Sequence, residues 1–239
     1  MRPVLIVMTG HAVEVVRRRV GDFDTLIRRG LGLPEHAVRV ADVAAGEALR
    51  DLAELGGAVV TGSSAMVSDR EPWSEAAAAW LARAVGVGLP VLGVCYGHQL
   101  LAHALGGRVG PNPAGREIGT VPLQVLPIAA GDPLLGDCPP RLEVQATHQE
   151  SVLELPTGAQ RLAANGADPN QAFAIGERAW GIQFHPEFTA EVIRGYIESR
   201  TEQLREEGTD PERLLAAVRP TPEAATLLSR FATLATGHA

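Results

Sequence analysis

The chain has 239 residues, 46% of them apolar and 21% charged, with a formal net charge of −7. That length suits one sizeable α/β domain, and the acidic balance disfavours nucleic acid, whose phosphates need clustered positive charge. No apolar run approaches the ~18 residues of a membrane span, and all 21 basic residues are arginine, which removes a phosphate-loop lysine, a lysine Schiff base and a Ser-Lys dyad together.

The opening stretch MRPVLIVMTGH has too short an apolar run for an export signal. The two cysteines, Cys95 and Cys138, could form one bridge at most, and Cys95 lies in a motif that needs a free thiol, so a reducing cytoplasm is the expected compartment. Short β-branched runs at Val4–Met8, 37–40, 58–61 and Val91–Val94 read as strands with helix-like stretches between them. Near-continuous apolar strands alternating with helices predict a mostly parallel sheet flanked by helices on both faces. A helix over 73–85 starts after Pro72 with Glu71 and Glu75 at its beginning, which suits the helix dipole. The next helix, 96–105, stops at Gly106-Gly107. Over 108–188 the runs LEVQATH, RLAAN, QAFAI and AWGIQFH predict an antiparallel or mixed portion. From Thr189 the tail is helical, with a break near Gly208 and a turn at Pro220. The expected organisation is one domain over 1–188 and a helical C-terminal extension, 189–239, packed on it.

Two segments carry chemistry. In Val91-Leu92-Gly93-Val94-Cys95-Tyr96-Gly97-His98-Gln99 a cysteine stands between a buried strand and a helix, with glycine two residues to either side. This is a nucleophile-elbow pattern with sulfur in place of oxygen. The tight turn leaves no room for a Cβ at Gly93 or Gly97, and the helix N-terminus favours the thiolate. Alone, the pattern also suits an inert buried cysteine. Cys138, in a Gly-Asp-Cys-Pro-Pro loop, has no such setting.

The second segment is Gly181-Ile182-Gln183-Phe184-His185-Pro186-Glu187. On an extended strand, residues i and i+2 share a face, so Glu187 can orient and charge-stabilise the His185 imidazole. Alone, this pair also suits a metal site or a turn, but no further ligand stands at a metal-binding spacing, so no metal is expected. His11, His98 and His103 read as helix-surface or loop histidines.

Together, GVCYGHQL and GIQFHPE resemble the class I, or triad, glutamine amidotransferases. The loop around Met66-Val67-Ser68-Asp69-Arg70-Glu71-Pro72-Trp73 and the helical tail look like the free-standing subgroup similar to the GMP synthase glutaminase. The resemblance implies a flavodoxin-like fold and a catalytic triad of Cys95, His185 and Glu187, with no cofactor. It also implies an oxyanion hole from the backbone N–H groups of Ser63 and Tyr96, Ser64 standing where the family usually has proline. Gly62 belongs to the same loop. Gln99 matches a position that helps hold glutamine, and Thr147-His148-Gln149-Glu150-Ser151-Val152 matches a substrate-contacting stretch, so His148, Ser151 and Val152 join the candidates; His148 also suits a structural role. The implied substrate is glutamine, with a γ-glutamyl small molecule cleaved by a peptidase or hydrolase as the alternative. A separate synthetase would accept the ammonia.

Overall fold

A computed structural model describes residues 2–237. β1 (Val4–Met8) is buried along its whole length and shows how the layers form. Val4, Ile6 and Met8 point into the core beneath α1 (Glu14–Val20), α2 (Phe23–Leu31), α5 (Ala190–Ser199) and α8 (Pro222–Thr236). Leu5 and Val7, on the other face, pack beneath α3 (Pro72–Gly86) and α4 (Tyr96–Ala104). Period-two alternation thus feeds two cores from one strand. Burying each such side chain contributes roughly 1.5–3 kcal/mol.

Beside β1 lie β2 (Val38–Asp42), β3 (Gly57–Val60), β4 (Val91–Val94) and β11 (Ala179–Ile182), all parallel in the order β2-β1-β3-β4-β11. The sheet continues antiparallel through β10 (Ala172–Ile175), β9 (Gln160–Ala164), β6 (Glu117–Val125) and β7 (Arg141–His148). A separate antiparallel pair joins β5 (Arg108–Pro111) to β8 (Glu150–Glu154).

The link between β2 and β3 departs from the alternating pattern. Residues 43–56 form no α-helix, only a 3-10 turn at Leu52–Glu54. The Asp42 carboxylate accepts from the Ala45 N–H at 3.0 Å, Glu47 accepts from the Asp42 N–H at 2.9 Å, and Gly46 takes φ +88°. These side-chain bonds and the left-handed glycine close a turn in place of a helix.

In the tail, α5 is followed by α6 (Thr201–Glu206), α7 (Pro211–Ala217) and α8. Asp210 caps α7 by accepting from the Glu212 and Arg213 N–H groups. Leu227, Leu228 and Phe231 of α8 are fully buried in the same core as β1. The last two residues of the predicted extension, His238 and Ala239, lie outside the described residues. Among those described, no helix is long and apolar enough to cross a membrane.

Candidate active site

The chain leaving the C-terminal ends of β3, β4 and β11 carries Ser63, Cys95 and His185, at the edge where open parallel sheets place ligands. Cys95 has φ 53° and ψ −102°, a conformation costly for a residue with a Cβ. Its N–H donates to the Ile182 carbonyl at 2.9 Å, and the Gly97 N–H donates to the Thr61 carbonyl at 3.1 Å. A Cβ on Gly93 would lie 2.5 Å from the Gly97 carbonyl carbon, and one on Gly97 2.8 Å from the Val60 Cβ. Both glycines are therefore required by close approach of backbone.

His185 is not on a strand. β11 ends at Ile182, and the segment 185–188 is a turn closed by the Phe188 N–H on the His185 carbonyl at 3.3 Å. The predicted pairing with Glu187 still forms, by turn geometry rather than by strand alternation: Nδ1 lies 2.7 Å from Glu187 Oε1. The ring stacks on Phe188 at 4.0 Å, and the His185 N–H is held by the Gln145 carbonyl at 2.8 Å. Among the described residues Nε2 makes no hydrogen bond.

Burial is the largest influence on the Cys95 thiol and opposes its ionisation. The charges of His185 and then His148 outweigh it, so the thiol sits below its ordinary value. Burial likewise opposes charge on His185, but Glu187 and Cys95 raise its pKa to about 10. The two titrate as a pair, and both shifts favour the thiolate–imidazolium form.

A second histidine–carboxylate pair stands beside this one. His148 Nε2 lies 2.9 Å from Glu117 Oε2, and Nδ1 lies 2.9 Å from the Glu150 carbonyl oxygen. Glu117 also accepts from Asn165 and Gln171, each at 2.6 Å. A carbonyl can only accept, so Nδ1 carries a proton and donates to Glu150, while Nε2 faces the Glu117 carboxyl. Burial opposes a charge on the ring, and Glu117 raises the His148 pKa against it.

Cys95 faces two narrow cavities. One, of about 30 Å3, includes Ser63, Ser64, Thr147, His185 and Arg200 in its wall. The other, of about 50 Å3, includes Ser63, Tyr96, Gln99, His148, Glu150 and Arg200. The second shares Met66, Arg116, Gln149 and Glu150 with a groove of about 620 Å3.

Gly62 lies against the ring, where a Cβ would come within 3.0 Å of His185 Cε1. The Gln99 amide donates to the Glu150 carbonyl and to Gln183 Oε1 at 2.8 and 3.0 Å. Ser151 and Val152 are buried on β8 and line neither cavity. Tyr96 begins α4, where first-turn N–H groups have no helical partner. His98, expected at the surface, is fully buried against Phe173, because its face of α4 packs on β11. His103 is also largely covered, beside Glu75 at 2.9 Å, whereas His11 is half exposed.

Sequence reading missed several participants. The Thr9 hydroxyl bonds to the Thr61 and Gly62 carbonyls at 3.0 and 3.1 Å and fixes the loop carrying Ser63. Glu117 stands 31 residues from His148, and Arg200 reaches the site from the end of α5. No local spacing signals such long-range meetings.

The model of the glutamine amidotransferase class-I family matches residues 26–200. The glutamine-hydrolysing GMP synthase of Aeropyrum pernix is 35% identical over 179 residues, which is 74% of this chain and 31% of that protein. That of Thermomicrobium roseum is 39% identical over 131 residues, 55% of this chain and 23% of that protein. The chain thus spans less than a third of these relatives. A crystal structure of a glutamine amidotransferase from Thermotoga maritima covers 100% of both chains with a TM-score of 0.77 at 24% identity, a likeness of fold alone. With the family model spanning most of its length, the chain belongs to the class I glutamine amidotransferases.

Proposed function

We propose that this chain hydrolyses the side-chain amide of glutamine, with Cys95 as nucleophile. The observation that carries the reading is the convergence of an elbow thiol with the buried His185–Glu187 pair, bonded at 2.7 Å. The Cys95 thiolate adds to the amide carbon, and the carbonyl oxygen takes up the negative charge. The N–H groups of Ser63 and Tyr96 stabilise that oxyanion; one such donor is worth roughly 10²–10³ in rate. As the C–N bond breaks, the His185 imidazolium gives its proton to the departing nitrogen, which leaves as ammonia. The neutral imidazole, held by Glu187, then takes a proton from water that attacks the thioester. Glutamate leaves and the thiolate–imidazolium pair returns.

Gln99 and His148 support this reading from the wall of the second cavity. Gly62 keeps the space at His185 clear, while Ser151 and Val152 act from behind, through the backbone of β8. No cofactor enters the scheme. Ammonia would pass to an acceptor-activating synthetase on a separate chain, in the cytoplasm; the names of the GMP synthase relatives support such a partner.

The test is ammonia release from glutamine. Cys95→Ala abolishes both turnover and labelling by a glutamine-like chloroketone, and labelling that persists on Cys138 overturns the assignment. A γ-glutamyl peptide cleaved in preference to glutamine would make the chain a peptidase with the same triad.

A further inference from the structure

Arg200 caps the end of α5 and precedes α6, and it lines both cavities that flank Cys95. It stacks 5.1 Å over the Tyr196 ring and donates through Nη1 to the Thr147 hydroxyl at 2.5 Å. Thr147 is also the residue whose carbonyl oxygen lies 3.8 Å from the Cys95 sulfur. The cation is therefore fixed one residue away from the thiol.

Its charge meets Tyr196, Cys95 and Glu207 only at a distance. The nearby Glu207 carboxylate has both oxygens on Arg116, at 2.9 and 3.1 Å. Arg200 makes no ion pair among the described residues, and its single side-chain hydrogen-bond acceptor is a neutral hydroxyl. Partly buried cations normally find a carboxylate or phosphate, because charge-assisted bonds are about twice as strong as neutral ones. Glu150 also lines the second cavity, and among the described residues its carboxylate accepts from the Ser68 N–H at 3.3 Å. One cavity thus has an arginine and a glutamate in its wall beside one thiol, a pairing that suits a zwitterionic amino acid.

Space points the same way. Cavities of about 30 and 50 Å3 hold little more than a water molecule each. Arg200 and Thr147 wall both, so a substrate the size of glutamine must displace side chains around the thiol, and their hydrogen bond is one that can open. A substrate carboxylate can supply the better acceptor that replaces the hydroxyl.

We infer that Arg200 is the specificity-determining residue that binds the free carboxylate of the substrate, exchanging the Thr147 hydroxyl for it as the site fills. The inference rests on glutamine or a γ-glutamyl compound being the substrate, and it restricts that class to molecules with an unblocked α-carboxylate.

The experiment measures the rate of Cys95 alkylation by the glutamine-like chloroketone, by its α-methyl ester and by iodoacetamide, in the wild type, Arg200→Gln and Arg200→Lys. In the wild type, masking the carboxylate slows alkylation roughly 10- to 100-fold, the range of a charged hydrogen bond. Arg200→Gln loses that factor with the free acid only, Arg200→Lys recovers part of it, and iodoacetamide reacts equally with all three. A preference for the free acid that survives in Arg200→Gln overturns the inference. So does an equal slowing with all three reagents, which would mark Arg200 as structural. Alkylation needs no turnover: if glutamine is not hydrolysed but the preference follows Arg200, the hydrolytic reading falls and the carboxylate site stands.

Discussion

Two histidine–carboxylate pairs flank Cys95, and they differ in what their hydrogen bonds permit. His185, on the turn after β11, uses Nδ1 for Glu187 and leaves Nε2 without a bond. His148, at the end of β7, has both nitrogens bound, to Glu117 and to the Glu150 carbonyl. In the proposed reaction the first ring has a nitrogen free to pass a proton, whereas the second, tied at both ends, acts on the thiol only through its field. The parallel half of the sheet would thus supply the mobile proton and the antiparallel half a static influence.

Removing the mobile member should have the largest effect. His185→Asn should lower glutamine turnover by roughly 10²–10⁴, the usual worth of a general acid–base, and Glu187→Gln should approach this by releasing the ring's tautomer and orientation. Iodoacetamide alkylation followed against pH reports the thiol directly. In the wild type its inflection should lie below the ordinary thiol value, and in His185→Asn it should move upward, because the main opposing charge to burial is gone. An unmoved inflection would mean that His185 does not face the thiol in solution.

The static member should be worth less. Glu117→Gln removes the carboxylate that raises the His148 pKa, so the ring should hold its proton less tightly. Cys95 should keep its His185 partner but titrate higher, slowing alkylation at pH 7 by up to about tenfold for each pKa unit gained. Turnover should fall by a similar factor without any change in which residue delivers the proton. A loss as deep as that of His185→Asn would collapse the distinction between the two pairs.

A third buried histidine has no carboxylate and sharpens the contrast. His98 packs at 5.0 Å on Phe173, and burial holds its pKa down to about 3 against the opposing influence of the Gly181 backbone. The unfolded chain binds a proton there near pH 6.5, whereas the folded one does so only near 3. Stability from this group is therefore complete above about 6.5 and is lost as pH falls toward 3, at up to about 1.4 kcal/mol per pH unit. Urea unfolding at pH 6.5 and 4.5 should show His98→Gln losing about 2–3 kcal/mol less than the wild type across that interval. Equal losses would assign the acid sensitivity elsewhere.

These three histidines also mark what could be read from sequence. The elbow was legible because Gly93 and Gly97 occupy positions where a Cβ would strike backbone, a constraint written into adjacent residues. The His185–Glu187 pair was legible from its spacing, although a turn and not a strand brings it together. The burial of His98 was not, because α4 is apolar on most sides and no periodicity marks the face toward β11. Nor was the Glu117–His148 pair, or Arg200, since each depends on which distant elements the sheet order makes neighbours. The stretch 43–56 misled for a local reason: Asp42 and Glu47 close a turn on backbone N–H groups, and Gly46 takes φ +88° within it.

The smallest effect should come at Ser63, where main chain and side chain separate. The proposed oxyanion donor is its N–H, while Oγ accepts from the Ala65 N–H at 3.1 Å. Ser63→Ala removes only the latter bond, worth about 0.5–1.5 kcal/mol of stability. The donor itself should stay in place, because Thr9 and Thr61 bond to the adjacent Gly62 carbonyl at 3.1 and 3.0 Å whether or not the Ser63 hydroxyl is present. Turnover should remain within about threefold of wild type, well short of the 10²–10³ expected for losing the N–H. A hundredfold loss, with the alkylation profile unchanged, would transfer the oxyanion role from the backbone to the hydroxyl and make this loop sensitive to side-chain identity, as the elbow opposite it is to its glycines.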